Sequence, residues 1–175
     1  MIQDNANHAI ELTRTAREIA DVMLSTTEDG QQINLRAALE REVSEVQSSY
    51  PNAAVTYDTT IPSIRINAND MISSVFRNLL KNAIQHNDKP VAEVKVSATD
   101  QDGTVSVRVA DNGPGVPDNQ KEAIFGKGDR DLETAGTGIG LYLVKTLVTD
   151  YDGEVRVEDN NPEGSVFVVE LLKAE

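Results

Sequence analysis

The chain has 175 residues, no cysteine and a formal net charge of −13. Its length suits one domain with an appendage and a sizeable core, and the lack of cysteine excludes disulfides and thiolate metal sites. Acids outnumber bases by 29 to 16 and are spread along the chain, which argues against a nucleic-acid surface. The plain reading is a solvated acidic surface, and the sharper one is a halophilic protein, in which salt screens self-repulsion.

Residues 1–29 carry one helix and a break. Ala9, Leu12, Ala16, Ile19, Ala20, Met23 and Leu24 form an apolar stripe of helical period, and Ser25-Thr26-Thr27-Glu28-Asp29-Gly30 ends it. Such a helix must bury its stripe against a partner. No apolar run approaches the roughly 20 residues that cross a bilayer, and the polar start lacks a signal-peptide pattern.

Residues 32–34 start a strand. Residues 35–49 form a helix with Leu39, Val43 and Val46 inward and Glu40, Glu42 and Glu45 outward, and Pro51 follows its end. Short strands are expected at 54–58 and 63–66, after which Asn67 or Asn69 caps a second helix. In that helix Met71, Ile72, Val75, Phe76, Leu79, Leu80, Ala83 and Ile84 recur at three- and four-residue steps. Asn78, Asn82 and His86 stand four apart on a polar stripe of the same helix. Asn is a mediocre helix former, so two in adjacent turns of a buried helix point to a task for their amides.

Beyond Pro90, Val94, Val96 and Ala98 alternate with Lys95 and Ser97, and Val105, Val107 and Val109 alternate with Ser106 and Arg108. Asp102-Gly103 between the two runs marks a hairpin. Alternation gives one buried and one wet face. Then come Asp111-Asn112-Gly113-Pro114-Gly115, a loop over 117–135, and Gly136-Thr137-Gly138-Ile139-Gly140-Leu141 opening a helix over 138–149. Strands at 154–158 and 165–171, joined by Asn160-Asn161-Pro162-Glu163-Gly164, close the chain. The sum is an α+β two-layer sandwich, a mostly antiparallel sheet covered by helices on one side, preceded by an N-terminal helix.

Three stretches, 78–87, 111–116 and 136–141, with Ile124-Phe125-Gly126 between the last two, resemble the N, G1, G2 and F boxes of the Bergerat-fold ATP-binding domain of sensor histidine kinases. The resemblance covers roughly residues 30–175. It implies that residues 30–175 bind ATP with Mg²⁺ and that residues 1–29 are the second helix of a truncated dimerisation and phosphoacceptor hairpin. Asp111 matches the acceptor of the adenine amino hydrogen bond, and a carboxylate suits that donor. Gly113 and Gly115 let backbone approach the ligand, beside Val116 against the base. Asn82 matches the magnesium ligand, a neutral oxygen donor for an ion bound mostly by phosphates and water. Asn78, Gln85 and His86 line the same site. Gly136, Thr137, Gly138, Ile139, Gly140 and Leu141 offer phosphate the N–H groups of a helix start. They form no Walker loop, because no Lys-Ser or Lys-Thr follows. Residues 117–135 match the ATP lid, with Phe125 as its anchor and Lys127 and Arg130 as its phosphate-seeking cations.

Several relatives of the same fold, the type II topoisomerases, mismatch-repair ATPases and serine kinases of anti-sigma antagonists, carry Glu four residues before the magnesium Asn. That Glu activates water or a serine hydroxyl. Here the position is Asn78, which cannot take a proton, whereas a neutral imidazole is nucleophilic near pH 7 without a base. The expected function is therefore γ-phosphoryl transfer from MgATP to a histidine outside this chain. A slow ATPase or a nucleotide-binding regulatory module is the alternative. His8 is not the expected acceptor: Ala9 follows it instead of an acid, and about 20 residues before Gly30 are too few for a helical hairpin at 1.5 Å per residue. The resemblance also implies a response regulator as partner, a homodimeric full-length protein and a cytoplasmic location, with membrane anchoring of the full-length protein left open. Loss of the first hairpin helix favours a monomeric fragment, while the apolar stripe at residues 9–24 leaves self-association open.

Overall fold

The computed structural model describes residues 32–58, 60–126 and 139–174, together with Thr13, Arg17 and Ala20, which are helical and exposed. The rest of the expected N-terminal helix, His8 included, lies outside the described residues.

The elements run β1 (Gln32–Asn34), α1 (Leu35–Ser49), β2 (Ala54–Tyr57), β3 (Arg65–Asn67), α2 (Ile72–Gln85), β4 (Glu93–Asp100), β5 (Thr104–Asp111), α3 (Ile139–Asp150), β6 (Glu154–Asp159) and β7 (Ser165–Leu172), with 3-10 turns at Asp118–Gln120 and Ala123–Phe125. Five strands form one sheet in the order β2-β4-β5-β7-β6, and β1 and β3 pair separately. β2 runs parallel to β4, and the other pairs of the large sheet are antiparallel.

Helix starts follow local chemistry. Asn34 caps α1, its side chain accepting from the Ala37 N–H at 3.0 Å. The expected cap of α2 sits slightly outside the helix: the Asn69 side chain accepts from Met71 N at 3.0 Å and from the Tyr151 hydroxyl, while the cap position belongs to Met71. Asn69 thus ties the entry of α2 to the residue just after α3. The strand expected at 63–66 is displaced to Arg65–Asn67, where Ile66 pairs with Ile33.

Register explains the core. Val96, Val109, Phe167 and Val157 form one row across β4, β5, β7 and β6, and Val107, Val169 and Val155 form the next. All seven are buried, as are Ile72, Val75, Phe76, Leu79, Leu80 and Ala83 of α2. Burying each of the larger side chains contributes about 1.5–3 kcal/mol. α2 packs against α1 and α3 and against β4 and β5, so its polar stripe is placed by a rigid neighbourhood.

The opposite face departs from simple alternation. Ser97, Arg108, Val168 and Arg156 form a row there, yet Val166, Val168 and Ser106 are buried. Ion pairs Arg108–Glu158 (3.7 Å), Arg156–Glu158 (3.5 Å) and Arg156–Glu170 (3.1 Å) cross this face, and long charged side chains cover apolar surface with their stems. One helix expectation is corrected too. Glu42, expected outward, is 2% exposed because it pairs with Arg77 of α2 at 3.3 Å.

Candidate functional site

Asp111 ends β5, one residue beyond the last β5–β7 register pair, Ala110 with Val166. Its side chain is buried. Oδ1 accepts the backbone N–H of Gly113 at 2.9 Å and of Ser165 at 3.1 Å. Burial pushes this carboxyl above the usual carboxylate range, against the opposing pull of those two N–H groups and of the His86 imidazole. A carboxylate has room for about four donors, so two N–H groups fix its orientation and leave acceptor capacity for a ligand.

The segment after Asp111 lies on the end of α2. A Cβ at Gly113 would stand 3.1 Å from Asp111 Oδ1 and 3.3 Å from the His86 carbonyl, so glycine allows this approach. Gly115 has φ +82° and faces the Gly164 carbonyl. Val116 is half-buried against the core. Asn112 joins the two stretches: its Oδ1 accepts from Asn87 Nδ2 at 2.7 Å and Glu93 N at 3.0 Å, and its amide donates to Val91 O and Glu93 at 3.2 Å each.

On α2, Asn78 and Asn82 are half-buried and His86 is exposed. Asn78 donates from Nδ2 to Ser74 O at 2.7 Å. Its Oδ1 lies 2.8 Å from where a Cβ on Gly140 would be, which places the N-terminal turn of α3 directly against Asn78. The exposed Gln85 donates its amide nitrogen to the Tyr50 hydroxyl, just beyond α1, at 3.0 Å, and at i+3 it neighbours Asn82 on the helix surface. Leu141 is buried. Phe125 and Ile124 are buried as expected of the anchor, with the Phe125 ring edge-on to Phe167 at 6.1 Å. Lys127, Arg130, Gly136, Thr137 and Gly138, and the side chain of Ile139, lie outside the described residues.

Residues 67–175 match the family model of the histidine kinase-, DNA gyrase B- and HSP90-like ATPases. The chain belongs to this family. Among its members it is similar to the adaptive-response sensory kinase SasA of Thermosynechococcus vestitus, 30% identical over 181 residues, 95% of this chain and 47% of SasA. The catalytic domain of histidine kinase ThkA superposes with a TM-score of 0.74 at 27% identity, over 83% of this chain and 98% of that one. ThkA solved in complex with the response regulator protein TrrA superposes with a TM-score of 0.74 at 24% identity, over 97% of this chain and 49% of that one, and so shows the shared fold. The chain is the ATP-binding catalytic domain of a sensor histidine kinase of two-component signalling. It spans less than half the length of the curated relatives it matches, 47% of SasA and 16% of the C4-dicarboxylate transport sensor protein DctB of Rhizobium meliloti. No helix among the described residues is long and apolar enough to cross a membrane.

Three residues without any local sequence signal for a site also contact Asp111. Asn160, Gly164 and Ser165 read only as a turn and a strand start. Asn112 was hidden inside a glycine-rich motif. A glycine ending a polar turn just before a strand was the available signal at Gly164, but nothing in the sequence gave its partner.

Proposed function

We infer that this kinase domain binds MgATP between α2, residues 111–116 and the start of α3, and positions the γ-phosphoryl group for in-line transfer to a histidine on a dimerisation hairpin. One observation carries the choice of a histidine acceptor. The residue one turn before Asn82 is Asn78, whose amide is bonded to Ser74 O and packed on Gly140. An amide held there deprotonates neither water nor a hydroxyl, and an imidazole acceptor needs no such help.

The base pocket rests on Asp111, held by two N–H groups with acceptor capacity to spare. Gly113 and Gly115 admit the ring beside Val116, and His86 stands at the mouth. By the resemblance, residues 136–141 are the expected phosphate-binding stretch and Lys127 and Arg130 the expected lid cations, and the first turn of α3 adds a helix dipole that favours anions. Mg²⁺ fits the donor available: Asn82 offers a neutral amide oxygen, which suits an ion held otherwise by phosphates and water. Its chemistry there is charge neutralisation of the phosphates. Residues 1–29 form the end of the hairpin, the acceptor lies on a helix outside this chain, and the full-length kinase is a homodimer that passes its phosphoryl group to a response regulator.

Radiolabelled ATP, the kinase domain and a matching hairpin fragment test this together. The expected product is acid-labile phosphohistidine on the hairpin. Free phosphate instead would make the domain a hydrolase, and binding without turnover would make it a regulatory module.

A further inference from the structure

We propose that Asn160 is a positioning residue for adenine recognition, acting through the backbone of Asp111. The proposal rests on the nucleotide reading above and adds to it the β6–β7 turn, to which that reading gives no part.

The carbonyl of Asp111 lies just past the end of the β5–β7 ladder. Asn160 supplies its partner: Nδ2 donates to Asp111 O at 2.8 Å. The other end of the same side chain closes its own turn, with Oδ1 accepting from Asn161 N at 2.9 Å. The Asn160 N–H meets Gly164 O at 3.0 Å. The turn therefore lies flush on the Asp111 peptide. A Cβ on Gly164, whose φ is +106°, would stand 2.0 Å from Asp111 O. From this position Ser165 reaches Asp111 Oδ1 with its backbone N–H.

Two contacts thus hold Asp111 from the turn, one on the carbonyl from Asn160 and one on the carboxylate from Ser165. They share a rigid path of few residues, so losing the first loosens the second. Outside them, Lys89–Glu163 (3.0 Å) and Lys121–Asp159 (2.9 Å) tie the turn to both sides of the pocket. In both pairs the acid is more than half exposed, and such pairs hold geometry weakly. The half-buried amide of Asn160 is the firmer tie, since removing it leaves a carbonyl without its partner.

The test uses binding of ADP and of inosine diphosphate, which carries an exocyclic carbonyl oxygen in place of the adenine amino group. Wild type is expected to prefer ADP. Asn160→Ala and Asn160→Asp are each expected to weaken ADP about tenfold while changing inosine diphosphate less than about twofold, so that the preference collapses. Asn160→Asp keeps the shape and the turn-closing acceptor but loses the donor, so it separates turn closure from the tie to Asp111 and decides the matter if the alanine variant does not fold. A folded Asn160→Asp with the wild-type preference overturns the proposal, and so does an equal loss for both nucleotides. A wild type that binds neither overturns the nucleotide reading itself, and one that binds both alike overturns the contact of Asp111 with the adenine amino group on which the proposal rests.

Discussion

Ser165 donates its backbone N–H to Oδ1 of Asp111 at 3.1 Å, joining the first residue of β7 to the last of β5. Together with Gly113 it holds a carboxyl whose pKa burial has raised above 3.8. The sign of the pH dependence follows. A raised carboxyl binds its proton more tightly folded than unfolded, so stability from this group is greatest below the unfolded pKa. It is lost as pH rises through the folded pKa. Asp111→Asn keeps an acceptor for both N–H groups and removes the buried charge. We predict that its melting temperature at pH 7 is no lower than that of wild type and that the gap closes as pH falls toward 3.8. Adenine binding is lost because an amide donor faces an amino donor. Melting curves across pH and nucleotide titration check both halves.

Gly164 and Gly103 both have positive φ, +106° and +79°, but differ in surroundings. A Cβ at Gly103 meets nothing within 4 Å, whereas one at Gly164 would collide with the backbone of Asp111. Gly103→Ala is expected to cost about 1–2 kcal/mol of stability from strain alone and to leave nucleotide affinity unchanged. Gly164→Ala carries the same strain and also displaces the turn, so both stability and ADP affinity fall. Chemical denaturation and calorimetry on the two variants separate the effects.

Glu42 and Arg77 lock α1 to α2, the helix that carries Asn78 and Asn82. Arg77→Ala leaves a carboxylate buried without this partner and is expected to destabilise the domain by about 3 kcal/mol. A double variant, Glu42→Leu with Arg77→Met, is expected to recover most of the loss, since apolar pairs of similar volume replace buried ion pairs at little cost. Urea denaturation of the single and double variants measures the difference.

Much of this was legible in the chain. The three- and four-residue steps of α2 and the alternation in β4 and β5 are direct consequences of one buried face, so those elements stand where the pattern put them. Gly115 left a local mark because its backbone has a positive φ, and Phe125 because it is buried as an anchor. Glu42 misled, because an acid on a helix normally faces water and its partner is 35 residues away. The bond from Gln85 to Tyr50 left no mark either, since Tyr50 lies 35 residues away, just past the end of α1. Asn160 and Ser165 escaped notice because their partner Asp111 is 49 and 54 residues distant, and no local period encodes such a contact.

The charge of −13 carries its own expectation. Self-repulsion between spread acids is screened by salt, while the exposed pairs of Arg108 and Arg156 with Glu158 contribute little. Melting temperature is therefore expected to rise from low to molar potassium chloride. Equal stability at both ends would contradict a halophilic design.

Calorimetry with magnesium and a non-hydrolysable ATP analogue tests the central claim most directly. Wild type is expected to release heat on binding, Asn82→Ala to lose the magnesium-dependent part of the affinity, and Asp111→Asn to show no association. Absence of binding by a folded wild type, or binding unaltered by Asp111→Asn, would contradict it.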